Sequence, residues 1–554
     1  MSVYHNWATY DFDEERDLEP YYKVWALNGQ FTIPAKRPFD QYYIIHLMAQ
    51  NFLRAGEKLS APFPFPRDLR LKDNFWYISL VDFTEEEVRK REPTFREKLA
   101  PWIENPDTIY RGEMIPELEG YHERWWPIDV EKISELELLD LFQDWQRVTI
   151  RIWDWHFVSM WAGYSIYGLF EDLCQERFGI VDTDPQFKAL MGGFDNREFV
   201  IDRDAYHLAD RARELGLASL IQATPDNEEV LSKLKESGAG RDWLQEFHEV
   251  VSRHACRVNE YWFLSTPSWM TQPSLAISDV RRGIVAGGVF AIDRERERVV
   301  KEREEAEGDF LSRVPYEQRD WFGKLMRGAQ WLGAYELDHA YYTECIAVSH
   351  AERITKEIGR RLARLGMIDE PEDIYYLIPD EIQLAILGMY NRRRQQKTVE
   401  IRKDEYQKFL PMTPPMFIGD PSVLPAMLVK NPFLRHIIAI PVPKPELKAD
   451  LYGVGSAPGV VEGIARVVPT FAEADQVQPG EILVTISTLA YWTPILGIVK
   501  GVVTDVGGSL SHPVIVGREF GIPAVAGTLE GTRKIKTGDR VRVDGDNCCV
   551  YILK

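Results

Sequence analysis

The sequence predicts a multidomain α and α/β protein: a large, mainly helical domain followed by a compact β/α domain. Three observations carry this. Helical patterning dominates residues 120–430. Three prolines on alternate positions, in Pro441-Val442-Pro443-Lys444-Pro445-Glu446, then mark the sharpest composition shift in the chain. After them, residues 451–554 alternate short apolar runs with Gly, Pro and Asp turns around one helical segment that begins after His512. The length of 554 residues fits about three to four domains at roughly 150 residues each.

Taken in order, residues 1–120 hold aromatic clusters interrupted by Pro62, Pro64 and Pro66 with no strong period, and read as a mixed region packed on the helical domain. That domain spans 121–440. Ser134 is placed to cap a helix running through Trp155, with Glu137 as its capping-box partner. Residues 293–307 carry opposite charges at helical spacing, such as Glu297 with Lys301, and read as a solvated helix. The basic run Arg392-Arg393-Arg394 with Lys397 reads the same way. Residues 441–450 form a stiff, extended hinge linker. In 451–554 the strands are Gly480–Thr485, Gly501–Thr504 and Val541–Asp544.

Composition excludes several classes. With 66 Lys+Arg against 86 Asp+Glu the net charge is −20, which opposes binding to a phosphate backbone, so no nucleic-acid partner is expected. No run of about 18 apolar residues occurs, so no membrane span is expected. Acidic Asp11 to Asp17 replace the basic and apolar regions of a signal peptide, and a cytoplasmic location is expected. Cys174, Cys256, Cys345, Cys548 and Cys549 show no C-x-x-C spacing; they read as reduced and inert, with neither a disulfide framework nor a protein-held metal.

The chemistry concentrates in Thr504-Asp505-Val506-Gly507-Gly508-Ser509-Leu510-Ser511-His512-Pro513, continuing to Gly527. A strand ends at Asp505, the glycines turn the backbone, and Pro513 suits a first helical turn, which puts His512 at or near the N-cap. Gly521 and Pro523 stop the helix. A helix start offers free N–H groups and the positive end of a dipole, which suit a phosphoryl group and disfavour imidazolium. His512 is therefore a candidate nucleophile, with Gly508, Ser509, Ser511 and Arg518 as candidate phosphate-binding residues.

The run TDVGGSLSHPVIVGREFGIPAVAGT, with Gly455-Ser456-Ala457-Pro458-Gly459 and Gly463 upstream, resembles the phosphohistidine (swivelling) domain of the PEP-utilising enzyme family. Pro513 and Gly517 stand where that family usually has alanine. The resemblance implies that His512 carries a phosphoryl group. Residues 120–430 more loosely resemble the helical acceptor domain of rifampicin phosphotransferases and of the His-bearing subunit of phenylphosphate synthases. The matching pieces are Trp126-Pro127-Ile128-Asp129, Ser265-Thr266-Pro267-Ser268-Trp269, Asp338-His339 and Pro371-Glu372-Asp373-Ile374-Tyr375-Tyr376-Leu377.

No G-x-x-x-x-G-K-[ST] occurs, and with about 120 residues ahead of the acceptor domain and the sequence ending at Lys554, neither an ATP-grasp unit nor a PEP-binding barrel is expected within these residues. The expectation is therefore a phenylphosphate synthase-like transferase. ATP with Mg2+ would bind a separate ATP-grasp partner subunit, and His512 would pass phosphate to a small aromatic hydroxyl acceptor, giving AMP and phosphate. PEP held by a separate barrel protein remains open as the donor. Alternatives are an antibiotic phosphotransferase and a phosphohistidine-regulated scaffold without enzymatic activity. For the acceptor base, His339 beside Asp338 is the first choice, because a carboxylate can orient an imidazole; Tyr342 and Glu344 lie on adjacent helical positions. His254 with Arg257 and Glu260 is the second choice, and Arg257 is a candidate to meet the phosphoryl group. The sixteen tryptophans suit an aromatic pocket, although Trp153, Trp155 and Trp161 share one apolar helical stretch and read as core.

Overall fold

A computed structural model describes residues 11–18, 24–182, 184–412, 414–432, 436, 441 and 444–553. Near the N-terminus, β1 (Val24–Leu27), β2 (Phe65–Lys72) and β3 (Phe75–Val81) form an antiparallel sheet with β4 (Phe417–Gly419), in the order β2-β3-β1-β4. The β2–β3 connection is Asp73-Asn74, both at positive φ, as a tight hairpin turn requires. Asn74 Oδ1 accepts from Lys36 N at 2.8 Å, tying the turn to the chain ahead of it. The mixed N-terminal region thus supplies three of the four strands of a sheet. Its last strand comes from residues that patterning alone assigns to the helical domain, because three residues are too few to show a period.

The helical domain is organised by α1 (Glu135–Phe178), 44 residues long. Ser134 caps it as expected: its Oγ accepts from Glu137 N, and Glu137 Oε2 accepts from Ser134 N at 2.8 Å. The helix runs past Trp155 until Gly179 ends it in the left-handed conformation. Against it packs α2 (Arg319–Ala340), with Gly163 facing Leu332 and Trp331 and Gly328 facing Ile166. A Cβ at Gly163 would sit 2.6 Å from Leu332 Cδ1, so the missing side chain sets how closely the two helices approach. After Ala340 the chain makes one π-helical turn, Tyr341–Cys345, and continues as α3 (Ile346–Arg364). The predicted solvated helix spans Val289–Arg313, where Lys301 reaches Glu305 at 3.9 Å and Arg298 pairs with Glu302. Trp153 and Trp161 are fully buried, whereas Trp126 is exposed. Among the described residues no helix is long and apolar enough to cross a membrane.

The C-terminal domain holds an eight-stranded sheet in the order β5-β12-β11-β7-β8-β9-β10-β6. Its strands are β5 (Leu451–Tyr452), β6 (Gly455–Ala457), β7 (Val460–Val467), β8 (Ile482–Thr485), β9 (Gly501–Thr504), β10 (Ala524–Ala526), β11 (Arg540–Asp544) and β12 (Cys549–Leu553). β7, β8, β9 and β10 are parallel neighbours. β8 and β9 are buried throughout, so both read as continuous apolar runs. The helix α4 (His512–Phe520) crosses from β9 to β10 and stops at Gly521, φ +65°. Ligand sites of such sheets form beyond the carboxyl ends of the parallel strands. Here those loops carry Thr488 and Thr493 after β8 and His512 after β9.

The domain is docked on the helical domain. Lys188 Nζ donates to Ser456 Oγ at 3.0 Å, Gly193 N donates to Glu519 Oε1 at 2.8 Å, and the Tyr491 hydroxyl donates to Glu260 Oε2 at 3.3 Å. Val442 and Pro443 of the predicted linker lie outside the described residues.

Candidate active site

His512 is the first residue of α4, after the N-cap Ser511 (φ −74°, ψ 151°) and before Pro513. Gly507 takes φ +132°, and a Cβ on Gly508 would lie 1.8 Å from the His436 carbonyl oxygen, so both positions of the turn need glycine. The His512 ring is held from both sides. Thr488 Oγ1 lies 2.9 Å from Nδ1 and Thr493 Oγ1 lies 3.1 Å from Nε2. Burial, helped by the positive charge of Arg257, pushes the imidazole down to about 3, so it is neutral at pH 7 with a lone pair for attack.

His512 faces a cavity where all three parts of the molecule meet. Leu27, Asn28, Phe31 and Phe417 come from around the N-terminal sheet, and Thr488, Asp505, Gly507 and Ser511 come from the C-terminal domain. The helical domain contributes His156, Phe157 and Tyr261 together with Glu336, His339 and Glu344. The cavity holds about 160 Å³ for the centres of water-sized groups, and its wall is more apolar than polar. Among the described residues no tryptophan lines it; its aromatic faces are Phe31, Phe52, Phe157, Tyr261 and Phe417.

The wall shared with His512 is rich in proton acceptors. His339 Nδ1 lies 2.7 Å from the Tyr335 carbonyl oxygen, which can only accept, so Nδ1 carries the proton and Nε2 presents a lone pair. Nε2 lies 3.6 Å from Glu344 Oε1. The His156 ring lies 4.6 Å from the His339 ring. Burial pushes the Glu336 carboxyl up to about 7, close to the pH at which a base works. Two features bring these groups together. Glu336 and His339 are one α-helical turn apart, and the π turn after Ala340 carries Glu344 back over His339. In an unbroken α-helix, residues five apart point about 140° away from each other.

Other residues singled out in the sequence lie elsewhere. Asp338 does not orient His339: its carboxylate accepts from the Tyr110 hydroxyl at 2.9 Å and from Arg197 N at 2.5 Å, because successive helical residues point about 100° apart. His254 is buried beyond the cavity, with Nε2 2.8 Å from Asp204 Oδ2. Tyr342 packs edge-on to Tyr341, and its hydroxyl is pushed up to about 12 by burial and by Asp338. Arg257 is fully buried in an ion pair with Glu198 rather than Glu260, and it acts on His512 through its field.

Of the phosphate-binding candidates, Ser511 lines the cavity, and its hydroxyl donates to the Gly508 carbonyl at 2.7 Å. Ser509 turns away to His436, its Oγ 2.7 Å from Nδ1, and His436 Nε2 lies 3.2 Å from Glu171 Oε2. Arg518 stands six residues along α4, about 9 Å of helix from His512, where it donates to the Ser509 carbonyl at 3.3 Å. Thr488, Thr493 and His156 had no local pattern to single them out, whereas Glu336, three residues before His339, carried the one usable signal.

The C-terminal domain matches the mobile domain of PEP-utilising enzymes. The match covers residues 477–548, and residues 156–335 match the fourth domain of rifampicin phosphotransferase. The mobile-domain match includes Thr488, Thr493 and His512, and the fourth-domain match begins at His156. Over 505 residues the chain is 27% identical to chondramide synthase of Chondromyces crocatus, covering 88% of this chain and 13% of that protein. It is 24% identical over 418 residues to an uncharacterized phosphotransferase of Bacillus subtilis, covering 75% and 49% respectively. It is 26% identical over 412 residues to the rifampicin phosphotransferase of Streptomyces sviceus, covering 67% and 45%. The chain therefore spans half or less of the length of these relatives.

Proposed function

We propose that this chain is a phosphotransferase in which His512 takes up a phosphoryl group and delivers it to a hydroxyl acceptor bound in the cavity. The observation that carries this reading is that the neutral imidazole of His512 and the proton-accepting wall of Glu336 and His339 face one enclosed, largely apolar space. In the first step the imidazole lone pair forms a P–N bond as the donor's P–O bond breaks. In the second, the acceptor oxygen forms a new P–O bond, the P–N bond breaks, and the hydroxyl proton passes to His339 Nε2 or to Glu336. Helix α4 points its N-terminus at the transferred group, and the Thr488 hydroxyl stands beside it.

The acceptor best suited to this space is a small aromatic alcohol of the phenol class, because five aromatic rings line the cavity together with the polar side chains of His512, Glu336 and His339. The donor is ATP with Mg2+, bound on an ATP-grasp unit outside these residues: the β-phosphoryl passes to His512 and the γ-phosphoryl to water, so that ATP, water and acceptor give AMP, phosphate and the phosphorylated acceptor. Because the docked domain buries His512 against the acceptor wall, it must leave that wall to meet the donor.

The test uses protein isolated with its native partners and ATP labelled separately in the β and γ phosphates. Label from the β position on His512, discharged by phenol, is the expected result. His512→Ala should take up no label. His339→Asn should take up label normally but deliver it about 10²–10⁴ times more slowly. A His512→Ala protein that still transfers phosphate would sink the proposal. Discharge by a bulky hydroxylated antibiotic and not by phenol would replace the acceptor class.

A further inference from the structure

We propose that His156, His339 and Glu344 form a site for a first-row divalent cation on the acceptor wall of the cavity that His512 also lines. The three side chains are buried, and their candidate ligand atoms all lie within 4.8 Å of one another. His339 has the arrangement of a metal-bound histidine: Nδ1–H donates to a backbone carbonyl, which fixes the tautomer and ring orientation and leaves Nε2 free to coordinate. Its 3.6 Å separation from Glu344 Oε1 is close to the edge of a coordination polyhedron with bonds of about 2.1 Å. The second carboxylate oxygen of Glu344 accepts from the Thr343 hydroxyl, so that ligand too is held from behind.

His156 supplies the independent observation. It is 5% exposed and lines the cavity, yet its Nδ1 has no hydrogen-bond partner. A buried polar nitrogen left unpaired is costly and signals a missing partner. Glu336 on the same wall leaves Oε1 unpartnered as well. Two imidazoles and a carboxylate select the zinc, iron and manganese group over magnesium or calcium, which prefer oxygen ligands alone. The π turn is what makes the set possible, since it brings Glu344 round to the face of His339.

A second cluster, His122, Cys256 and His350, lacks this character. Its imidazoles satisfy each other at 3.0 Å, burial pushes the Cys256 thiol up to about 12, and Arg353 Nη2 lies 3.4 Å from His350 Nδ1, opposing a cation.

The consequence for catalysis rests on the phosphotransfer reading; the site itself does not. With the cation in place the acceptor oxygen would take an open coordination position; as its bond to phosphorus forms, the P–N bond to His512 would break and the hydroxyl proton would pass to Glu336, since His339 Nε2 is then occupied.

The test is on the full chain, stripped with a chelator and titrated with Zn2+, Mn2+ and Co2+ by calorimetry, with bound metal counted by plasma mass spectrometry. About one ion per chain is expected, together with visible Co2+ bands characteristic of nitrogen ligation. Glu344→Gln and His156→Gln should each weaken binding at least about tenfold, while Cys256→Ser and His512→Ala should bind as the parent does. Absence of Co2+ bands in the unmodified protein, or binding that survives both ligand substitutions and falls with Cys256→Ser, would overturn the site. Metal binding intact in a protein that never labels His512 would instead overturn the phosphotransfer reading and leave the site standing.

Discussion

At the scale of single residues, His512 is held neutral by its surroundings, and this has a signed effect on stability. In the unfolded chain its imidazole takes up a proton near pH 6.5; in the folded protein it does so only near pH 3. Between those values the unfolded state binds the extra proton, so the contribution of this residue to stability is complete above about pH 6.5 and is lost as pH falls. Urea unfolding of the parent and of His512→Gln, followed from about pH 7 to about pH 4, should therefore show a shallower loss of midpoint in the variant. Parallel curves would mean that the folded imidazole protonates normally. The same scale explains which site residues were legible. His512 announced itself through a local glycine turn and a proline, whereas Thr488 and Thr493 reach it from the loop after a neighbouring strand. Asp338 was misread because adjacency in sequence on a helix is not adjacency in space.

At the scale of elements, the acceptor wall depends on how α1 packs against α2 and on the π turn between α2 and α3. Gly163 lets α2 come close enough for the His156 and His339 rings to sit 4.6 Å apart. Gly163→Leu should push the helices apart and lower stability by about 1–3 kcal/mol, the usual cost of overpacking. The same variant should weaken delivery of phosphate to the acceptor more than labelling of His512. Both are measurable, the first by chemical denaturation and the second by comparing the two partial reactions; equal losses in both would separate the helix contact from the acceptor wall. The capping box at Ser134 and the glycine stop at Gly521 could be read in advance because each is a local pattern of a few residues. The π turn could not, because its residues Tyr341 to Cys345 continue a helical pattern and only the packing on either side decides where an extra residue is absorbed.

At the scale of the whole molecule, the C-terminal domain is docked by polar contacts, among them Gly193 with Glu519 and Tyr491 with Glu260, and by an apolar seam in which Trp492, Ile495, Ile515 and Val516 join the core of the helical domain. The polar contacts are each of modest net strength, and the transfer proposed above requires the domain to leave and return. Glu519→Ala should therefore raise the rate at which diethyl pyrocarbonate modifies His512 and increase the radius of gyration in solution scattering, with the domain still folded. Unchanged reactivity at His512 would show that this contact does not govern undocking.

The helical domain, the β/α character of the C-terminal domain and the place of His512 at a helix start were legible in residue order alone, since all of these are written in patterns of a few to a few tens of neighbouring residues. Only the tertiary structure decided that β4 completes the N-terminal sheet, that His156 meets His339 and Glu344, that Arg518 and Ser509 turn away from the nucleophile, and that residues from all three parts enclose one cavity. The physical reason is the range of the interactions. Capping, turns and periodic burial act along the chain, whereas a wall assembled from residues 27 to 529 exists only once the domains have closed on one another.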